Sequence, residues 1–287
     1  MRAPRSASSV ETVPEMKFEL DNSRVLREIA PDDDMAHGNH ENYFALGESA
    51  LLDCIAPALE ASPKQRFGRI LDLPCGYGRV MRYLRAAFPD SQITACDIQR
   101  AGVDFCAEKF GAIPVYSSED PTALELPGPF NLIWCGSLLT HLDEERCGQW
   151  LDLFRSVLAP YGVFVFTTHG RLVAHRLQAG LLDADSWLGQ DRADRMLQDF
   201  DTHGFGYQEY PAKDRGFDGQ ERGYGWGLSS PAWVVDRITE RAGWRLVYLR
   251  EAAWRRYQDV AACLAWPIDS LPPPLQERAA ALSGEES

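Results

Sequence analysis

The run Ile70-Leu71-Asp72-Leu73-Pro74-Cys75-Gly76-Tyr77-Gly78-Arg79-Val80 constrains this chain more than any other stretch. A short apolar strand turns sharply through Pro-Cys-Gly-x-Gly and enters a helix over Val80 to Leu84. Glycines at such a turn open torsions closed to other residues and leave no side chain in a ligand's way. A second apolar run, Ile93-Thr94-Ala95-Cys96, ends in Asp97, about twenty residues beyond the glycines. That spacing puts a carboxylate at the tip of the neighbouring strand, within reach of both hydroxyls of a ribose. Strand, glycine turn, helix and acidic tip, in that order, predict a site for a nucleoside-bearing cofactor.

The pattern repeats downstream. Ile113–Tyr116, Phe130–Cys135 and Val163–Thr168 read as strands, and Phe105–Phe110 as a helix. Another helix opens at His141-Leu142-Asp143, carries Trp150, Leu151, Phe154 and Leu158, and is broken by Pro160-Tyr161-Gly162. Alternating strands and helices predict an α/β fold with a doubly wound parallel sheet. Phe130–Cys135 lacks polar alternation, as expected of a strand covered on both faces. Upstream, Tyr43, Leu46, Ala50, Leu51, Cys54, Ile55, Ala58 and Leu59 form an amphipathic helical stripe. Before it, residues 1–35 read as a flexible segment with a short helix over Phe18–Ile29 and a solvated acidic loop at Asp32-Asp33-Asp34.

After His169-Gly170 the rhythm breaks. Residues 171–230 hold polar helical stretches near Arg171–Gln178 and Trp187–Phe200, then two alternating segments ending at Tyr210 and Gly227 that read as a β-hairpin. An insertion of this size between strands predicts a cap over a site. A helix over Ala232–Arg241 and strands at Trp244–Leu249 and Tyr257–Leu264 resume the sheet, the last antiparallel. The core is thus expected at 36–170 and 231–268, with 269–287 an extended tail.

Charge narrows the partners. A formal net charge of −13, with arginines scattered among acids, argues against a nucleic-acid substrate. The seven cysteines show neither a C-x-x-C pair nor zinc-ligand spacing, which fits a reducing cytoplasm and no metal. No apolar run suggests a signal peptide or a membrane span.

The chain resembles the class I S-adenosylmethionine-dependent methyltransferases over about residues 36–265. Leu71-Asp72-x-x-Cys75-Gly76-x-Gly78-Arg79 is similar to that family's first motif and Cys96-Asp97-Ile98 to its second. Phe130-Asn131-Leu132-Ile133-Trp134 is similar to its fourth-strand motif, with Asn131 where the family usually has Asp. The resemblance implies a Rossmann-like, seven-stranded, mostly parallel sheet with an antiparallel last strand, and S-adenosyl-L-methionine as cofactor. It implies that Gly76 and Gly78 admit the methionine portion, Asp97 binds the ribose and Ile98 packs on the adenine. Ser117 or Ser118 would lie at the adenine edge, and Cys135 and Gly136 would offer carbonyls to the ammonium. Tyr43 and Gly47 would close over the carboxylate end. A narrower similarity links Tyr43-Phe44-x-x-Gly47-x-Ser49-Ala50-Leu51, Ser137–Leu142 and Gln258-Asp259-Val260 to bacterial methyltransferases encoded with glycosyltransferases.

Methyl transfer from a sulfonium is an in-line displacement, and a hydroxyl acceptor gains from a base that takes its proton. Two histidines stand at predicted strand tips: His141 and His169. Each is a candidate base, or a contact without proton transfer. His203, Tyr207, Tyr224 and Trp226, in the inserted region, are candidates to line a pocket for a small-molecule or glycan acceptor, or to pack the cap. Three rival readings stay open. Amine N-methylation is one. A nicotinamide-dependent oxidoreductase is the second, although Met81 replaces the third glycine of G-x-G-x-x-G. A non-catalytic cofactor-binding protein is the third.

Overall fold

The computed structural model describes residues 20–36, 38–60, 62, 66–183, 188–211 and 224–267. The apolar runs become the middle of a sheet: β1 Arg69–Asp72, β2 Gln92–Asp97, β3 Ile113–Tyr116, β4 Phe130–Cys135 and β5 Leu158–Thr168. β8 Trp244–Trp254 and β9 Gln258–Ala265 complete it in the order β3-β2-β1-β4-β5-β9-β8. β1 pairs in parallel with β2 and β4, while β9 runs antiparallel to β5 and β8. This is the Rossmann-like arrangement expected from the sequence. The order reverses beside β1, and such a switch point opens a crevice at the carboxyl ends of the strands.

Helices cover both faces. α1 His40–Ser49 passes through a π-helical turn, Ala50–Ile55, into α2 Ala56–Glu60. That rod buries Ala50, Leu51, Cys54, Ile55, Ala58 and Leu59 on one face of the sheet. The larger of these side chains contribute roughly 1.5–3 kcal/mol each. α3 Met81–Ala87 and α4 Arg100–Phe110 complete that layer. On the other face lie α5 Glu144–Val157 and α8 Pro231–Thr239, over Phe130, Ile133, Phe164 and Phe166. The Asp143 and Ser230 side chains cap these two helices by accepting from the Arg146 and Trp233 amides.

Several boundaries differ from the sequence reading. β5 starts at Leu158 rather than Val163, because Ala159–Gly162 bulges between the pairs Phe130–Leu158 and Leu132–Val163. β8 runs on to Trp254, because β9 keeps pairing with it to the hairpin tip. Within the expected Phe18–Ile29 helix, the described part holds a single 3-10 turn, Asn22–Arg24. The expected starts at Trp187 and Gly223, and the tail from Asp269, lie outside the described residues. Residues 171–230 contain α6 Arg171–Gln178, α7 Gln190–His203 and a separate hairpin of β6 Phe205–Glu209 with β7 Gly225–Ser229. They gather a core of their own around Val173, Met196, Phe200, Trp226 and Leu228. Among the described residues, no helix is long and apolar enough to cross a membrane.

One buried cation ties the chain's start to this core. Arg82, 1% exposed on α3, donates to the carbonyls of Gly78 (3.0 Å), Leu26 (2.9 Å) and Glu28 (3.0 Å) and to the Tyr43 hydroxyl (3.3 Å). Replacing it by Met keeps the volume but removes the side-chain donor from the part-buried Leu26 and Glu28 carbonyls and from the Tyr43 hydroxyl. Arg82→Met is therefore expected to destabilise the fold by about 2–4 kcal/mol in denaturant titration, with Leu26 and Glu28 loosened first in hydrogen exchange.

Candidate functional site

A cavity of about 840 Å³ opens at the carboxyl ends of β1, β2, β3 and β4. The β1–α3 turn forms its floor. Gly76 has φ +49° and nothing within 4 Å of the place a Cβ would take, so the backbone there lies bare to the cavity. Gly78 stands differently. At φ +79°, a Cβ would sit 2.4 Å from the Phe110 ring and 3.1 Å from Cys106 Sγ, so its bareness serves helix packing and not a ligand. Gly102 does the same for the loop, since a Cβ there would lie 2.5 Å from the Gly76 carbonyl oxygen.

Asp97 stands where its spacing predicts. Its Oδ2 accepts from the Gly76 amide at 2.7 Å and its Oδ1 from the Gln99 amide at 2.9 Å, locking the turn to the tip of β2. Burial raises its carboxyl above the ordinary range, opposed by these amides. Asp72, at the end of β1, has no hydrogen-bond partner on either buried oxygen. Burial first, and then the Asp97 charge, push its carboxyl well up, opposed by Arg79. Arg79 lines the same cavity, its own basicity lowered by burial. An unpartnered carboxyl and a desolvated guanidinium thus line one cavity. Ile98, Ser117, Ser118 and Gly136 also reach the wall, and so does Cys75.

Other expected contacts lie behind the wall. Tyr43 is 1% exposed and holds Arg82 instead of facing the cavity. Gly47 packs under the loop, where a Cβ would meet the Arg79 carbonyl at 2.2 Å. The wall passes from Trp134 to Gly136, leaving Cys135 fully buried on the other face of β4. His203 ends α7 on the exposed surface, away from the cavity. Tyr207 also stays off the wall, half-buried against the core beneath α5. Asp32, Asp33, Asp34 and Met35 form one side of the cavity; Asp32 and Asp34 are exposed, as expected of a solvated loop, while Asp33 is buried. Trp254 and Trp150 also line it. A run of acids carries no periodic signal, and a tryptophan's facing depends on packing, so sequence reasoning missed both.

The two histidines sit with ring centroids 6.3 Å apart and opposite hydrogen-bonding. His141, in the 3-10 turn Leu139–His141, reaches the wall. Its Nδ1 lies 2.9 Å from the Gly225 carbonyl, an acceptor only, so Nδ1 carries the proton. The Nε2 lone pair is then left uncommitted by that bond. Tyr224 stacks on the ring at 4.6 Å, and the Tyr210 hydroxyl is 3.3 Å from Nδ1. Burial lowers this imidazole to about 4, so it is neutral at pH 7. His169 is 4% exposed and off the wall. Its Nδ1 accepts from the Trp226 indole N–H at 2.6 Å, so the proton is on Nε2; the Gln258 side-chain amide nitrogen 3.4 Å from Nε2 is itself a donor, so the two form no hydrogen bond. That same amide holds Ser137 Oγ at 2.9 Å, and Ser137, at φ +62°, is on the wall. Burial lowers His169 to about 3. Trp226, 1% exposed, thus anchors a histidine rather than lining the cavity. Asp143 is engaged as a helix cap and Glu144 accepts from the Trp233 indole, and no described cluster of acids, cysteines and histidines is arranged for a metal.

Residues 70–162 match the family described as a methyltransferase domain. The malonyl-[acyl-carrier protein] O-methyltransferase of Acetivibrio thermocellus is 25% identical over 142 residues, which is 48% of this chain and 49% of that protein. The chain therefore spans about half the length of this curated relative. Among solved structures, an S-adenosylmethionine-dependent methyltransferase from Clostridium acetobutylicum matches with a TM-score of 0.52 at 15% identity, over 78% of this chain and 92% of that one. A Pyrococcus horikoshii protein matches with a TM-score of 0.52 at 12% identity, over 81% and 93%. At these identities the likeness is one of fold.

The glycines separate by experiment. Gly78→Ala meets a ring and a thiol at a left-handed torsion and is expected to destabilise by about 2–4 kcal/mol. Gly76→Ala has open space and is expected to cost about 1–2 kcal/mol of backbone strain, so its thermal midpoint should fall less.

Proposed function

Residues 70–162 being a methyltransferase domain of the class I S-adenosylmethionine-dependent fold, we propose that this chain methylates a hydroxyl oxygen of a small acceptor, with His141 as general base. The cavity's chemistry supports the cofactor part. Bare Gly76 would admit the methionine backbone, unpartnered Asp72 would meet its ammonium and Arg79 its carboxylate, and Asp97 would accept from the ribose hydroxyls. Ile98, Ser117 and Ser118, which line the same cavity, would hold the adenine. S-adenosylmethionine, when bound, supplies a methyl group on an electrophilic sulfonium.

The observation that carries the base assignment is the Nδ1 bond of His141 to the Gly225 carbonyl. It fixes the tautomer that leaves the Nε2 lone pair available at the cavity wall, and burial keeps the ring neutral. His141 takes the proton at Nε2 as the acceptor oxygen attacks, while Gly225 and Tyr210 hold the ring in place. His169 spends its Nδ1 lone pair on the Trp226 indole N–H and carries its proton on Nε2, so it is not the base. Tyr224 brings residues 171–230 to the wall, which supports their role as a cap over the acceptor. The curated relative is named as an O-methyltransferase, in keeping with an oxygen acceptor. A glycan or natural-product hydroxyl, as in methyltransferases encoded with glycosyltransferases, is the acceptor class to try first.

Incubation with methyl-labelled cofactor and cell extract, followed by mass spectrometry, identifies the acceptor; absence of any labelled product would overturn the reading. Asp97→Ala is expected to weaken S-adenosylhomocysteine binding by about 1–3 kcal/mol in calorimetry. His141→Ala should lower turnover about 10²–10⁴-fold with cofactor affinity kept, and His169→Ala considerably less. Because a base works when unprotonated, and His141 protonates only near pH 4, wild-type turnover should stay level from pH 9 to 6 and fall as pH approaches 4. A drop centred near 6.5 would point to an unburied histidine instead.

A further inference from the structure

The β8–β9 hairpin has two sides. Trp254 turns inward, lines the cofactor cavity and donates its indole N–H to the Leu46 carbonyl at 3.1 Å. Outward, a second concavity of about 440 Å³ is lined by Arg250, Arg255, Arg256, Ala252, Ala253, Ser49 and Asp53. Three arginines thus line one pocket on a chain whose formal charge is −13, although the arginines look scattered in sequence. Their charges are not spent on neighbours. Arg255 donates to the Asn42 side-chain oxygen at 3.3 Å, and Arg250 and Arg256 form no ion pair among the described residues. The lone carboxylate in the pocket, Asp53, accepts from the Ser49 hydroxyl at 2.6 Å.

The backbone holding these arginines is as unusual as their charge. The Tyr257 amide donates to the Trp254 carbonyl at 3.0 Å, closing a turn whose central residues, Arg255 and Arg256, both have φ +54°. Positive torsions at both central positions favour Asn and Gly, which take them at little cost, over side chains such as arginine. Ala252 adds a third left-handed residue, φ +51°, at a bulge pinned by its amide to Asp259 Oδ1 at 2.7 Å. Three of the five left-handed non-glycine residues in the described chain therefore lie in five positions. Folding alone would be better served by Asn-Gly at the tip. Local strain of this kind concentrates where a site requires the side chain.

We infer that the outer face of this hairpin is a binding site for the phosphate or pyrophosphate group of a phosphorylated small molecule. Planar guanidinium forks match phosphate oxygens in pairs, and three cations against one carboxylate suit a ligand with two or more negative charges. The pocket exceeds one phosphate in size, leaving room for a second phosphate or the group it is attached to. This site is separate from the cofactor cavity and does not rest on the transferase reading.

The test is calorimetric titration of the full chain with inorganic pyrophosphate and inorganic phosphate at low ionic strength, each against sodium chloride of matched ionic strength. Saturable one-to-one pyrophosphate binding, tighter than that of phosphate, is expected. The double variant Arg255→Asn/Arg256→Gly eases the turn while removing two cations. It should keep or raise the thermal midpoint, leave S-adenosylhomocysteine binding unchanged and weaken pyrophosphate by at least about tenfold. Arg250→Ser, which leaves the turn intact, should weaken pyrophosphate as well. No saturable binding by the wild type, or equal affinity in these variants, overturns the inference.

Discussion

The buried guanidinium of Arg82 is the contact on which the rest of this site depends. A cation at 1% exposure is tolerated only if its donors are answered, and here three carbonyls and a hydroxyl answer them. Two of those carbonyls belong to the N-terminal segment and one to the glycine turn. Satisfying one charge therefore draws the segment before α1 against the cavity, bringing Asp32, Asp33 and Met35 to its side. Tyr43, under the guanidinium, completes the clamp and is itself withdrawn from the cavity.

On the opposite side, a single strand sets the chemistry. Gly225 and Trp226 are successive residues of β7, yet one offers a carbonyl to His141 and the other an indole N–H to His169. An acceptor and a donor impose opposite tautomers on two imidazoles 6.3 Å apart. The pair is thus unequal: one ring keeps an Nε2 lone pair that its bond to Gly225 leaves uncommitted, and the other spends its Nδ1 lone pair on the Trp226 indole. Strand β7 lies outside the seven-stranded sheet, so residues from a separate hairpin fix both imidazoles.

The glycines of the turn carry a related lesson. Gly76 and Gly78 are two residues apart in one motif, and each has a left-handed torsion. Only Gly76 faces the cavity; Gly78, Gly47 and Gly102 are bare so that helices and loop can approach within a methyl group's radius. A motif thus mixes ligand and packing demands, and composition alone cannot separate them.

The alternation of strands and helices, the acidic tip at Asp97 and the amphipathic rod before β1 were legible in the sequence, because periodicity and short-range spacing reflect which faces are buried. So was the insertion after His169, since it interrupts that periodicity. The residues that give the cavity its character were not. Asp33 and Trp254 reach it from stretches with no repeating pattern, and the contrast between His141 and His169 exists only because β7 folds back over both. The cluster of Arg250, Arg255 and Arg256 likewise appears only when the hairpin tip takes left-handed torsions. Local pattern determined the scaffold; tertiary structure decided which polar groups meet, because hydrogen-bond partners far apart in sequence are set by packing.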